Sequence, residues 1–147
     1  MKRIGIILVL LQTVLLLHAQ QGLHVNELFE GRIVPQERMM VTKVRGKMIA
    51  KYQLSFFHSL RFYAAPDQVS HIMTLIEKDR MGAGVQDYSI AQAGHTESHM
   101  IRLAPKGKMN RYLCVKTERK TKKTNEVVVI YMEGTLSSLE KLKEILK

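Results

Sequence analysis

A chain of 147 residues holds enough for one domain with a modest core, and no composition shift or repeat marks a second one. Its 23 basic residues against 13 acidic ones give a net charge of +10, a balance that suits anionic partners. A single cysteine, Cys114, excludes an intramolecular disulfide, and the lack of tryptophan weakens carbohydrate and single-stranded nucleic-acid binding.

Residues 1–19 read as a signal peptide. Lys2 and Arg3 form a basic start, Ile4 to Leu17 an apolar run, and Ala19 a small residue suited to the position before the cut. The run is short for a membrane span, which needs about 20 apolar residues. Cleavage between Ala19 and Gln20 would export and release a mature domain of residues 20–147 with no transmembrane span, to the periplasm or outside the cell. Without Lys2 and Arg3, 21 basic residues face 13 acidic ones, leaving +8. Export removes the chain from nucleic acid. The basic balance then points to an anionic envelope protein, a lipid headgroup or an acidic polysaccharide, or serves solubility alone.

Leu23 to Gly31 places Val25, Leu28 and Phe29 on one helical face with Gly31 as its stop. Pro35 to Arg38 reads as a connection and Met39 to Val44 as a strand. Gly46 to Phe57 fits two periods: Met48, Ile49 and Tyr52 suit a helix, whereas Tyr52, Leu54 and Phe56 alternate. Leu60 to Ala64 is a strand with Leu60 and Phe62 inward. Pro66 to Arg80 is a helix with Val69, Ile72, Met73 and Ile76 inward and Asp67, Lys78 and Asp79 outward. Met81 to Gly84 ends it. Val85 to Ala91 and Met100 to Leu103 form a hairpin whose polar loop runs from Ala93 to His99, and Pro105 to Lys108 turns the chain again.

Arg111 to Thr117 alternates, with Leu113, Val115 and Thr117 on one face and Tyr112, Cys114 and Lys116 on the other. Val127 to Met132 is continuously apolar and suits a central strand covered on both faces. Glu118 to Glu126 reads as a solvated loop between them. After Gly134, Thr135 or Ser137 caps a helix, and Ser137 with Glu140 has capping-box spacing. Leu136, Leu139, Leu142, Ile145 and Leu146 supply the apolar stripe of that C-terminal amphipathic helix. Strands grouped between helices predict a single compact α+β domain with an antiparallel or mixed sheet packed with helices.

Chemistry is sparse. His95, Glu97 and His99 form the one cluster that resembles a metal site. Its glutamate does not follow the first histidine as in HExxH, and spacing names no third protein ligand. His24, His58 and His71 are scattered. No Gly-x-Ser-x-Gly elbow or phosphate-cradling glycine loop occurs. Cys114 on an alternating strand reads as a small buried hydrophobe. The basic run Arg119, Lys120, Lys122 and Lys123 is the candidate partner-binding surface. No catalytic residue and no cofactor follow from the sequence. A non-enzymatic envelope binding or accessory protein is the leading reading. The alternatives are a small metal-dependent hydrolase on the His95–His99 loop and a structural subunit that adds a strand to another sheet.

The leader ending His-Ala-Gln, the stretches HVNELFEG and VTKVRGKMIAKY, and the closing VVVIYMEGTLSSLEKLKEIL resemble a domain-of-unknown-function family of small exported proteins from Gram-negative bacteria. The resemblance covers most of the mature chain. It implies a compact α+β domain in the cell envelope and brings no activity, cofactor or catalytic residue with it. Some such proteins carry a lipid-attachment cysteine after the leader; here no cysteine lies near Ala19.

Overall fold

The structure is a computed structural model that describes residues 22–147; the segment 1–19 expected to be a signal peptide, and the cleavage point expected after Ala19, lie outside the described residues. Helix α1 (Asn26–Phe29) leads through a 3-10 turn (Gln36–Arg38) into β1 (Met40–Arg45). A second 3-10 segment (Lys47–Tyr52) precedes β2 (Leu54–Ala64) and α2 (Pro66–Arg80). Strands β3 (Asp87–Ala93), β4 (Thr96–Lys106), β5 (Met109–Arg119) and β6 (Asn125–Gly134) follow, and α3 (Leu139–Ile145) closes the chain. The six strands form one antiparallel sheet in the order β1-β2-β6-β5-β4-β3, an α+β fold.

Alternation divides the core between the two faces of this sheet. On one face, Phe56, Leu60 and Phe62 of β2, Val127, Val129 and Tyr131 of β6, and Leu113 and Val115 of β5 pack against α1 and α2 through Leu28, Phe29, Ile72 and Ile76. On the other, Tyr112, Cys114 and Met132 pack under Leu136, Leu139 and Leu142 of the C-terminal segment. The apolar run of β6 is thereby a central strand, buried at Val127, Val129 and Tyr131 on the first face and at Met132 on the second, where Val128 and Ile130 are only half-buried.

Several expectations are corrected. Gly46 to Phe57 is both things in turn: a 3-10 segment to Tyr52, then β2 from Leu54, switched at Gln53, whose φ is +61°. The polar stretch from Ala93 to His99 is no loop. A two-residue turn, Gly94-His95, joins β3 to β4, and Gly94 at φ +60° supplies the conformation that such turns require. Likewise β5 and β6 extend to Arg119 and from Asn125, leaving only Lys120–Thr124 as a turn. The cap of α3 is Ser138, whose hydroxyl accepts from the Lys141 amide at 3.2 Å, rather than Thr135 or Ser137. Asp79 is not outward: it is buried, and its carboxylate accepts from the His24 and Val25 amides at 2.6 and 2.8 Å.

Gly134 ends β6 where the chain has no room for a side chain. A Cβ there would lie 2.2 Å from the Gln53 carbonyl oxygen and 2.7 Å from the Leu54 Cα. The Leu136 amide, two residues on, donates to that same Gln53 oxygen at 3.1 Å. Close backbone approach therefore turns the chain from β6 onto the second face, where α3 begins.

Candidate functional site

The register of β5 and β6 builds the basic tip. Glu118 faces Glu126 and Arg119 faces Asn125. Beyond them the Lys120 and Thr121 amides donate to the Thr124 carbonyl at 3.0 and 3.1 Å, closing the turn. Arg119, Lys120, Lys122 and Lys123 thus stand together at one end of the sheet, all exposed. They are not equivalent. Lys120 Nζ lies 3.0 Å from Glu118 Oε1 and 4.0 Å from Glu126 Oε2. That pairing holds the Glu118 carboxyl below its ordinary range and the Lys120 ammonium above its own. Glu126 also receives Arg61 at 3.0 Å. Arg119 turns to the neighbouring hairpin: its amide donates to the His95 carbonyl at 3.1 Å, and its guanidinium lies 3.4 Å from His95 Nδ1. Among the described residues, Lys122 and Lys123 have no carboxylate within ion-pair distance, so their charge faces solvent.

Lys123 also borders a shallow depression of about 400 Å³ with Arg38, Tyr63, Asp67 and Gln68. Neither spacing nor charge pattern places Arg38 or Tyr63 beside the tip. Arg38 comes from the connection before β1 and Tyr63 from the end of β2, and only the strand order brings them to Lys123. Tyr63 is 55% exposed beside these cations.

The His95–His99 cluster is spread out by its strand. His95 is the second residue of the β3–β4 turn, whereas Glu97 and His99 lie on one face of β4, with His99 Nε2 2.5 Å from Glu97 Oε1. Four residues of strand span about 13 Å. Two imidazoles at that separation do not share an ion that each must approach to about 2 Å. No group of three His, Cys, Asp or Glu side chains among the described residues is placed to hold a metal.

Two titratable groups sit where spacing did not place them. His58 on β2 is buried beside Phe29, with ring centroids 4.7 Å apart, and lines a cavity of about 360 Å³ with Asn26, Glu30 and Lys43. Burial, then the charges of Lys43 and Arg45, push its pKa down to about 4, so the imidazole is neutral at physiological pH. Asp79 has its carboxyl raised by burial, an effect opposed by its two amide donors. Cys114 is buried as its strand position predicts, and burial pushes its thiol up to about 12, which keeps it from acting as a thiolate nucleophile.

No helix among the described residues is long and apolar enough to cross a membrane. No curated protein and no solved structure matches the chain. A family of unknown function (DUF6108) matches residues 12–146, carrying the alternating strands, the apolar central strand and the C-terminal helix alike, and the chain belongs to that family.

Proposed function

We propose that this is an exported protein of the cell envelope that acts by binding, without catalysis, and that its β5–β6 tip docks an anionic partner. The observation that carries the reading is the unequal state of the tip cations: Lys120 is occupied by Glu118 and Glu126, while Lys122 and Lys123 project without a counter-charge among the described residues. The apolar leader and the basic balance of the mature chain support export towards an anionic surface. Cross-linking capture of the tagged protein from intact envelopes tests it. A partner recovered with the native chain and lost with Lys122→Glu and Lys123→Glu supports the docking surface. A partner retained by that variant, or no partner at all, removes it.

A second reading, strand addition to another sheet, is favoured by the edges. Strand β3 is uncovered at the sheet margin, has Asp87 as its sole charge, and leaves Tyr88 and Ile90 half exposed. Edge β1 instead carries the exposed Lys43 and Arg45, which discourage pairing. If β3 pairs with another strand, the protein associates in sedimentation and Ile90→Lys returns it to monomer. Sedimentation as a monomer across the accessible concentration range would remove this reading.

A further inference from the structure

The second sheet face carries a groove that neither the basic tip nor the edge strands explain. It has a volume of about 380 Å³ and lies between the C-terminal end of α3 and strands β4, β5 and β6. The register lays its floor out in two rows. Met100, Cys114 and Ile130 are cross-strand neighbours and form an apolar row; Ser98, Lys116 and Val128 form the next row towards the tip, with a lysine at its centre. Leu146 closes the groove from α3, and Lys143 and Lys147 stand on the same rim. No carboxylate lines it. Lys143 and Lys147 have Glu140 and Glu144 at 3.5 and 3.2 Å along the exposed side of the helix, whereas Lys116 has no carboxylate within ion-pair distance among the described residues.

We propose that this groove is a binding site for a long-chain carboxylate, with the acyl chain along the Met100–Cys114–Ile130 row and the carboxylate at Lys116 and Lys143. Three observations converge on that class. The size falls in the range of small-ligand pockets, about 300–1,000 Å³. The walls are mostly apolar side chains, which favour an acyl chain over a polar metabolite. The charged groups at the rim are all cationic, so they complement an anionic head and would repel a cationic one. Cys114 contributes only an apolar surface, since burial keeps its thiol protonated.

The test is a titration of the purified protein, methyl-labelled at Met, Ile and Val, with palmitate below its micelle concentration. Hexadecanol and hexadecyltrimethylammonium serve as the neutral and cationic comparisons. The expected result is saturable one-to-one binding with shifts confined to Met100, Val128 and Ile130, and clearly weaker binding of both comparisons. Lys116→Glu with Lys143→Glu weakens palmitate by about tenfold, as reversal of two partly solvated pairs implies. Val128→Trp, which fills the groove at a half-exposed position, abolishes binding while the thermal unfolding midpoint stays near the native one. Equal affinity for hexadecanol, shifts scattered over the surface, or affinity unchanged by either variant would each overturn the assignment. Because Lys122 and Lys123 take no part in the groove, their reversal leaves palmitate binding intact, which separates this site from the docking tip.

Discussion

Asp79 shows how one side chain joins distant parts of this fold. Its spacing from Ile72 and Ile76 places it on the buried stripe of α2, while its charge argues for the outside. Partners more than fifty positions away in sequence, the amides of His24 and Val25, decide the matter. Asp79→Ala leaves two amides without acceptors and should cost about 2–4 kcal/mol in urea unfolding; a loss below about 0.5 kcal/mol would show that the N-terminal segment is not held this way. His58 makes a pH prediction. Its pKa falls from 6.5 to about 4 on folding, so the unfolded chain binds the extra proton between those values. The stability it supports is whole above pH 6.5 and is lost as pH falls towards 4, to a total of about 3 kcal/mol. His58→Phe should flatten the stability profile across that window; an unchanged slope would assign the acid sensitivity to other groups. At Gly134, alanine forces a Cβ into the Gln53 carbonyl, and a loss of about 1–3 kcal/mol is expected from thermal unfolding.

At the level of elements, the C-terminal segment is pinned by a polar clamp as well as by its leucines. Asn110 Nδ2 donates to the Leu136 carbonyl at 2.9 Å, the buried Tyr112 hydroxyl donates to the same oxygen, and Arg102 donates to the Ser137 carbonyl at 2.8 Å. Tyr112→Phe with Asn110→Ala should cost about 2 kcal/mol and speed amide exchange in α3 while β6 keeps its protection. Equal loss of protection in both elements would mean that the helix is not a separable unit. What was legible in the sequence follows the same divide between local and distant causes. Helix α2 is readable from Pro66, its apolar stripe and the glycines that follow. The two faces of β5 and the central place of β6 are readable from side-chain period. The β3–β4 turn was not, because Thr96, Glu97 and Ser98 look like loop residues until the strand pairs with β5. The stretch Gly46 to Phe57 carries two periods because it contains two elements. The tip cations were legible as a charge run, but their unequal pairing was not, since Glu126 reaches Lys120 through the register of β5 with β6, and Arg61 reaches Glu126 through that of β2 with β6.

For the whole molecule, one antiparallel sheet carries a helix-covered face, a second face partly closed by α3, and a cationic end where the β5–β6 turn projects. Net positive charge alone would draw the protein to any anionic surface. The proposed docking requires more: that Lys122 and Lys123 act locally. The most direct measurement is retention of the protein on isolated cell envelopes against ionic strength, for the native chain, for Lys122→Glu with Lys123→Glu, and for Lys47→Glu with Lys51→Glu, an equal charge change on the exposed 3-10 segment before β2. Local docking predicts that the tip variant loses most of its retention at low salt, while the distant variant follows the native chain and both of these release as salt rises. Equal loss in the two variants, or retention indifferent to charge and salt, would contradict a docking role for the tip.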